Sequence, residues 1–197
     1  MNNVESVRAA GVPVSGRPAR VKSQTAGGFR IDWVLKAGIV ALSVALVYVI
    51  YAAIHQHVVV AGDTAPKFTI TADNGRTISI PNFDGKLLLL NFWASWCAPC
   101  VEETPSLSEF ARQYADKGVV VLGVSVDRDG NAYQKFLDRF HPPFLTARDF
   151  KIHEDYGTYI YPESYFIDRN GRVLRKLDVA GIDFTDPKML SWVNSQL

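Results

Sequence analysis

Cysteine is scarce in this chain: 197 residues hold two, Cys97 and Cys100. A bond between them would close a gap of two residues and constrain little of the unfolded state, so a structural cross-link explains them poorly. A zinc site of four ligands is not expected either, because no second cysteine pair exists. Histidine is nearly as sparse, with His55, His57, His141 and His153 scattered without ligand spacing, and no metal is expected. Charge of one sign has no excess, the net being +1, which gives no indication of a basic or acidic substrate groove. The basic residues before position 37 are dispersed and lack interleaved aromatics. That argues against an arm for nucleic acid.

What the chain does have is one stretch around which the rest is organised. Leu87 to Leu90 open a continuous apolar run that continues through Asn91-Phe92-Trp93 to Trp96-Cys97-Ala98-Pro99-Cys100. Such a run suits a strand buried on both faces of a sheet. Beyond it Leu107, Phe110, Ala111 and Tyr114 recur at helical spacing, so an amphipathic helix follows. The cysteines therefore fall where a buried strand gives way to a helix N-terminus, toward which unpaired N–H groups and the positive dipole end point. That setting stabilises a thiolate at Cys97, the species that attacks disulfides, and Cys100 lies one turn on. The reading is a dithiol–disulfide centre. Two inert buried cysteines remain the alternative.

A second long feature lies upstream. Residues 37–54 are eighteen uncharged residues behind Arg8, Arg17, Arg20, Lys22, Arg30 and Lys36, with Trp33 and Tyr51 near the ends. The length suits a membrane-spanning helix, and the basic flank places the N-terminus in the cytoplasm. Residues 1–36 are expected to be a largely disordered cytoplasmic segment, 37–54 a transmembrane signal-anchor, 55–64 a linker and 65–197 a single domain. A cleaved signal peptide, with Val59-Val60-Ala61 as its site, is the alternative.

The segment Asn91 to Cys100 resembles the active site of the thioredoxin superfamily. Its extension, Trp96-Cys97-x-x-Cys100-x-x-Glu103-x-Pro105, is similar to the membrane-anchored TlpA-like and ResA-like thiol-disulfide oxidoreductases, including those of cytochrome c maturation. The resemblance covers roughly residues 65 to 197 and implies an α/β, thioredoxin-like fold with an N-terminal β-hairpin and a central α/β insert, preceded by one transmembrane helix. The chain can be read against it. Two short alternating strands flank the Asp73-Asn74-Gly75 turn, as a hairpin requires. Val119 to Val126 reads as a parallel neighbour of the central strand. Tyr133, Phe136, Leu137 and Phe140 give a short helix, Phe144 to Ala147 a brief strand, and Ile152 to Tyr156 a helical turn. Asn170-Gly171 signals a type I′ turn, and Asp186-Pro187 caps and begins a last helix.

The resemblance also implies roles. Cys97 is the nucleophile, Cys100 the resolving thiol, and Trp96 shields the pair. Pro162, cis in the superfamily, faces the cysteines, and Tyr161 before it offers backbone groups to a substrate strand. The family commonly has glycine where Ile160 stands. Thioredoxin keeps a buried Asp where this chain has Asn91. Glu103, spaced with Leu107 and Phe110 on the helix's buried face, is the expected proton-handling substitute, and Glu163 a second acidic candidate. The implied activity is reduction of disulfides in client proteins, apocytochromes c or copper-site proteins, on the extracytoplasmic or periplasmic side. A membrane electron-donor protein would recharge the dithiol, with no cofactor of its own. A redox-inert apoprotein chaperone and a disulfide-forming oxidant are the alternative readings.

Overall fold

The computed structural model describes residues 28–54 and 58–197, in two units divided after Ile54. The first unit contributes one helix, α1 (Gly28–Ile54). Within it residues 32–51 are long and apolar enough to cross a membrane, and their side chains are exposed on every side. A helix apolar all round is suited to lipid rather than to one protein face. Residues 28–36, expected to belong with the disordered segment, are instead the first turns of α1. Helix propagates cheaply from an established apolar run into good helix formers such as Arg30, Leu35 and Lys36. The remainder of that segment (1–27) and the linker residues His55–His57 lie outside the described residues.

The second unit is built on a five-stranded sheet in the order β5-β4-β3-β6-β7. Here β3 is Leu87–Trp93, β4 Val119–Ser125, β5 Leu145–Arg148, β6 Glu163–Asp168 and β7 Val173–Leu177. Strands β3, β4 and β5 run parallel, β6 is antiparallel to β3, and β7 is antiparallel to β6. Every residue of β3 and β4 is buried, which is why both read as unbroken apolar runs.

The two faces follow the two-residue strand period. Leu87 and Leu89 pack with Leu107, Phe110 and Tyr114 of helix α2 (Ala98–Tyr114), and with Met189 and Val193 of α5 (Pro187–Asn194). Leu88, Leu90 and Phe92 face the other way, onto Tyr156, Tyr165 and Ile78. Ile78 belongs to the hairpin β1 (Thr69–Thr71) and β2 (Thr77–Ser79), which pairs as the sequence suggests. Between β4 and β6 come α3 (Gly130–Phe140), β5 and α4 (Ile152–Asp155). The element order is thus the one expected, insert included.

One turn differs from expectation. Of Asn170 and Gly171 only Gly171 has a positive φ, +78°, so this is not the type I′ turn, which needs both. The Asp168 carboxylate accepts from the N–H groups of Asn170 and Arg172 at 2.8 and 2.9 Å, which holds Asn170 out of the left-handed region.

Candidate active site

Helix α2 begins where β3 ends, and Cys97 is its N-cap. Its sulfur is bonded to that of Cys100, with the Cα atoms 5.3 Å apart. The Cys100 N–H donates to Cys97 Sγ at 3.3 Å. This is the free N–H of a first helical turn serving a sulfur, the arrangement that favours a thiolate at Cys97 once the bond is opened. Both cysteines are buried, Cys97 at 6% exposure and Cys100 at 2%. The approach to Cys97 is fixed by Asp127, whose carboxylate accepts from Ser95 N–H, Ser95 Oγ and Ser125 Oγ. A buried carboxylate with three donors pins the loop that delivers Cys97.

Tyr161 meets the pair from the other side. Its carbonyl oxygen lies 3.4 Å from Cys97 Sγ, and the Tyr161–Pro162 peptide is cis. The Tyr161 ring takes the edge of the Trp96 ring at 6.0 Å, and its hydroxyl lies 3.1 Å from His153 Nδ1. Trp96 is 68% exposed. Alongside runs a cleft of about 680 Å³, walled in part by Trp96, Phe150, Tyr159 and Arg128.

Beneath the cysteines sits Glu103, 3% exposed. Its Oε1 accepts from Asn91 Nδ2 at 3.0 Å, and the same amide donates to Ser164 Oγ at 2.9 Å. Burial pushes the Glu103 carboxyl up from its ordinary 4.5 to about 7, the Asn91 hydrogen bond opposing it in part. A carboxyl titrating there can hold or release a proton at neutral pH.

The Redoxin family model matches residues 60–189. The chain belongs to the Redoxin family. Among curated relatives, this redoxin is 34% identical over 118 residues to the thiol-disulfide oxidoreductase ResA of Bacillus thuringiensis subsp. konkukian, covering 59% of this chain and 68% of that one. It is 35% identical over 136 residues to ResA of Geobacillus thermodenitrificans, covering 67% and 78%. A crystal structure of a Chlorobium tepidum chain assigned as the thiol:disulfide interchange protein DsbE superposes with a TM-score of 0.63 at 29% identity, covering 71% of this chain and 99% of that one. With the Cys97–Cys100 pair at disulfide distance, these establish a thiol-disulfide oxidoreductase of thioredoxin-like fold, a class that acts on disulfide-bearing proteins.

Within the redoxin, Cys97, Cys100, Glu103, Trp96, Tyr161 and Pro162 come together at one end of the sheet. Glu163 does not join them. Being next to Ser164 on β6, it points to the opposite face, where it accepts from Thr158 Oγ1 at 2.5 Å and from the Tyr165 hydroxyl. Lys176 Nζ stands 3.2 Å away. Two residues of the site went unread in the sequence. Ser164 shares the Asn91 amide, and Trp93 packs its ring on Phe136 with centroids 4.1 Å apart. The signal for Trp93 was available, since it lies two residues from Asn91 and so on the same strand face. Among the described residues no cluster of three or more His, Cys, Asp or Glu is placed to hold a metal ion.

Proposed function

We propose that this redoxin is a membrane-tethered reductant, with residues 1–36 in the cytoplasm, residues 37–54 as anchor and its domain from residue 65 outside. In this reading the Cys97 thiolate attacks a client disulfide, Cys100 resolves the mixed disulfide, and Glu103 handles the proton. The Tyr161 carbonyl and the cis Pro162 receive an extended client segment, and Trp96 covers the pair and flanks the cleft. Clients are oxidised apocytochromes c, whose cysteines must be reduced before haem is attached, or copper-site proteins. A membrane electron-donor protein restores the dithiol. The observation that supports reduction over oxidation is Glu103. An acid, rather than a cation, is buried beside the pair, and it shares a small cavity with Cys100. Strong oxidants of this chemistry owe their potential to a stabilised reduced form; a neighbouring carboxylate gives the thiolate no such help and leaves the dithiol ready to give up electrons.

The reduction potential of the full chain in detergent, equilibrated against glutathione buffers, tests this. The expected value is below about −250 mV, near or under that of thioredoxin. A value near about −120 mV, as for DsbA, would make the protein an oxidant and overturn the reading.

The proposed orientation carries its own prediction. A reporter fused after Leu197 should be active only outside the cytoplasm, because six basic residues precede the uncharged run. Cytoplasmic reporter activity contradicts the orientation, and a mature N-terminus near Gly62 contradicts the retained anchor.

A further inference from the structure

The cleft beside the cysteine pair carries rings and charges that the disulfide chemistry does not use. Trp96, Tyr159 and Phe150 line it at 68%, 54% and 45% exposure. Open apolar surface gathered in one place marks a contact surface. The lining also brings three carboxylates, Asp127, Asp129 and Glu154, against one guanidinium, Arg128. Asp127 is spent on Ser95 and Ser125. Among the described residues Asp129 accepts from the Asn131 N–H alone, and the exposed Glu154 pairs with no cation. Arg148 does not answer them, because its guanidinium donates to the carbonyls of Asp127 and Arg128 at 3.4 and 3.2 Å. His153 is engaged through Nδ1 by the Thr158 carbonyl at 2.7 Å. Burial pushes the Tyr161 phenol up, and the Glu163 and Glu154 carboxylates add to it, so negative charge reaches the inner wall of the cleft.

Three kinds of client side chain can be weighed against this lining. A carboxylate would meet like charge. An apolar side chain would cover the rings but draw Asp129 and Glu154 out of water without a partner, which is costly. A lysine or arginine avoids both penalties. Its stem lies along the rings, its head stays at the carboxylates, and a cation over an aromatic face is itself favourable. The cleft also begins at the nucleophile. Tyr161 lines it, and the Tyr161 carbonyl faces Cys97 Sγ at 3.4 Å. The neighbours of a client cysteine seated at Cys97 therefore fall within a residue or two of the cleft. We propose that the cleft is a specificity subsite for a basic side chain one or two positions from the client's attacked cysteine. Trp96, Tyr159 and Phe150 are its walls, and Glu154 and Asp129 its counter-charges. The inference rests on the reductant reading given above and adds a selection among clients: disulfides flanked by lysine or arginine are preferred over disulfides flanked by acids.

The test measures single-turnover reduction of disulfide-closed peptides by the reduced full chain in detergent. One peptide sequence carries lysine, arginine, norleucine or glutamate on both sides of its first cysteine. Each second-order rate is divided by that of dithiothreitol on the same peptide, which cancels the effect of charge on the disulfide itself. In the wild type the lysine and arginine peptides should react about ten-fold faster than the norleucine peptide and about 10²-fold faster than the glutamate peptide. The spread should narrow as salt rises. When Glu154→Gln and Asp129→Asn are combined, the lysine-to-norleucine ratio should fall to within about two-fold of one. When Tyr159→Leu and Phe150→Leu are combined, that ratio should fall by about three-fold. Because the readout is a ratio within one protein, a general loss from altered folding drops out. Equal rates for all peptides, a preference for glutamate, or a lysine preference that survives both pairs of substitutions overturns the subsite and leaves the reductant reading standing. Rates at background for every peptide overturn the reductant reading, and the inference with it.

Discussion

Cys97→Ser should abolish client-disulfide reduction, lowering the rate by roughly 10⁴-fold or more to the uncatalysed background, because every turnover passes through that sulfur. The reason is positional. Cys97 caps α2, its sulfur accepts from the Cys100 N–H at 3.3 Å and faces the Tyr161 carbonyl at 3.4 Å. Cys100 lies one turn inside the helix, between Glu103 and the β3 strand end, at 2% exposure. In the proposed mechanism a client disulfide is attacked at the first sulfur and not at the second. Cys100→Ser should therefore leave the attack intact and remove its resolution, so that clients accumulate as mixed disulfides through Cys97. Non-reducing gels of cells carrying each variant, followed by mass spectrometry of the adducts, read this directly. Abundant adducts with Cys100→Ser and few with Cys97→Ser are expected. Equal trapping by both, or none by either, would mean that the pair does not act as nucleophile and resolving thiol.

Much of this architecture is written locally. The unbroken apolar runs of β3 and β4 mark strands covered on both faces, and the stripe Leu107, Phe110, Ala111 and Tyr114 marks the helix between them; all four of those side chains are buried against the sheet. The cysteines' place at the helix start follows from these two signals alone. What stayed hidden depends on which face of a strand a side chain takes and on what stands opposite. Glu163 sits one residue from Pro162 in sequence, yet the alternation of β6 turns it away, toward Thr158 and Lys176. Ser164, with no chemical signal of its own, is brought to Asn91 because those two residues are paired across β6 and β3. Asp127 carries no sequence signal that sets it apart from other acids, and only the fold sets Ser95 and Ser125 around it. Such residues become readable once strand register is known, since register decides which polar groups share a face.

Glu103→Gln should change both turnover and the dependence of stability on pH. The carboxyl is raised from 4.5 to about 7 chiefly by burial, so folding favours its protonated form. Below pH 4.5 the group is protonated in folded and unfolded chains alike, and its full contribution to stability is present. As pH rises from 4.5 toward 7 the unfolded chain gives up this proton while the folded one keeps it, and stability falls. Above 7 both are ionised and the loss is complete, at about 3 kcal/mol for a shift of this size. Glutamine is neutral throughout and lacks this slope. Relative to Glu103→Gln, the wild-type chain should therefore lose about 3 kcal/mol of stability between pH 4 and pH 8. Urea unfolding of both full chains in detergent across that range measures the difference. Turnover should fall by about 10²-fold in the same variant and lose its inflection near pH 7, because the variant lacks the carboxyl proposed to take the proton from Cys100. Glu102→Gln is the control: Glu102 is exposed on the helix's outer side, and its replacement should move neither curve. Parallel stability curves for wild type and Glu103→Gln, with unchanged turnover, would reduce Glu103 to a carboxylate that merely complements the start of α2, an effect of a few tenths of a kcal/mol.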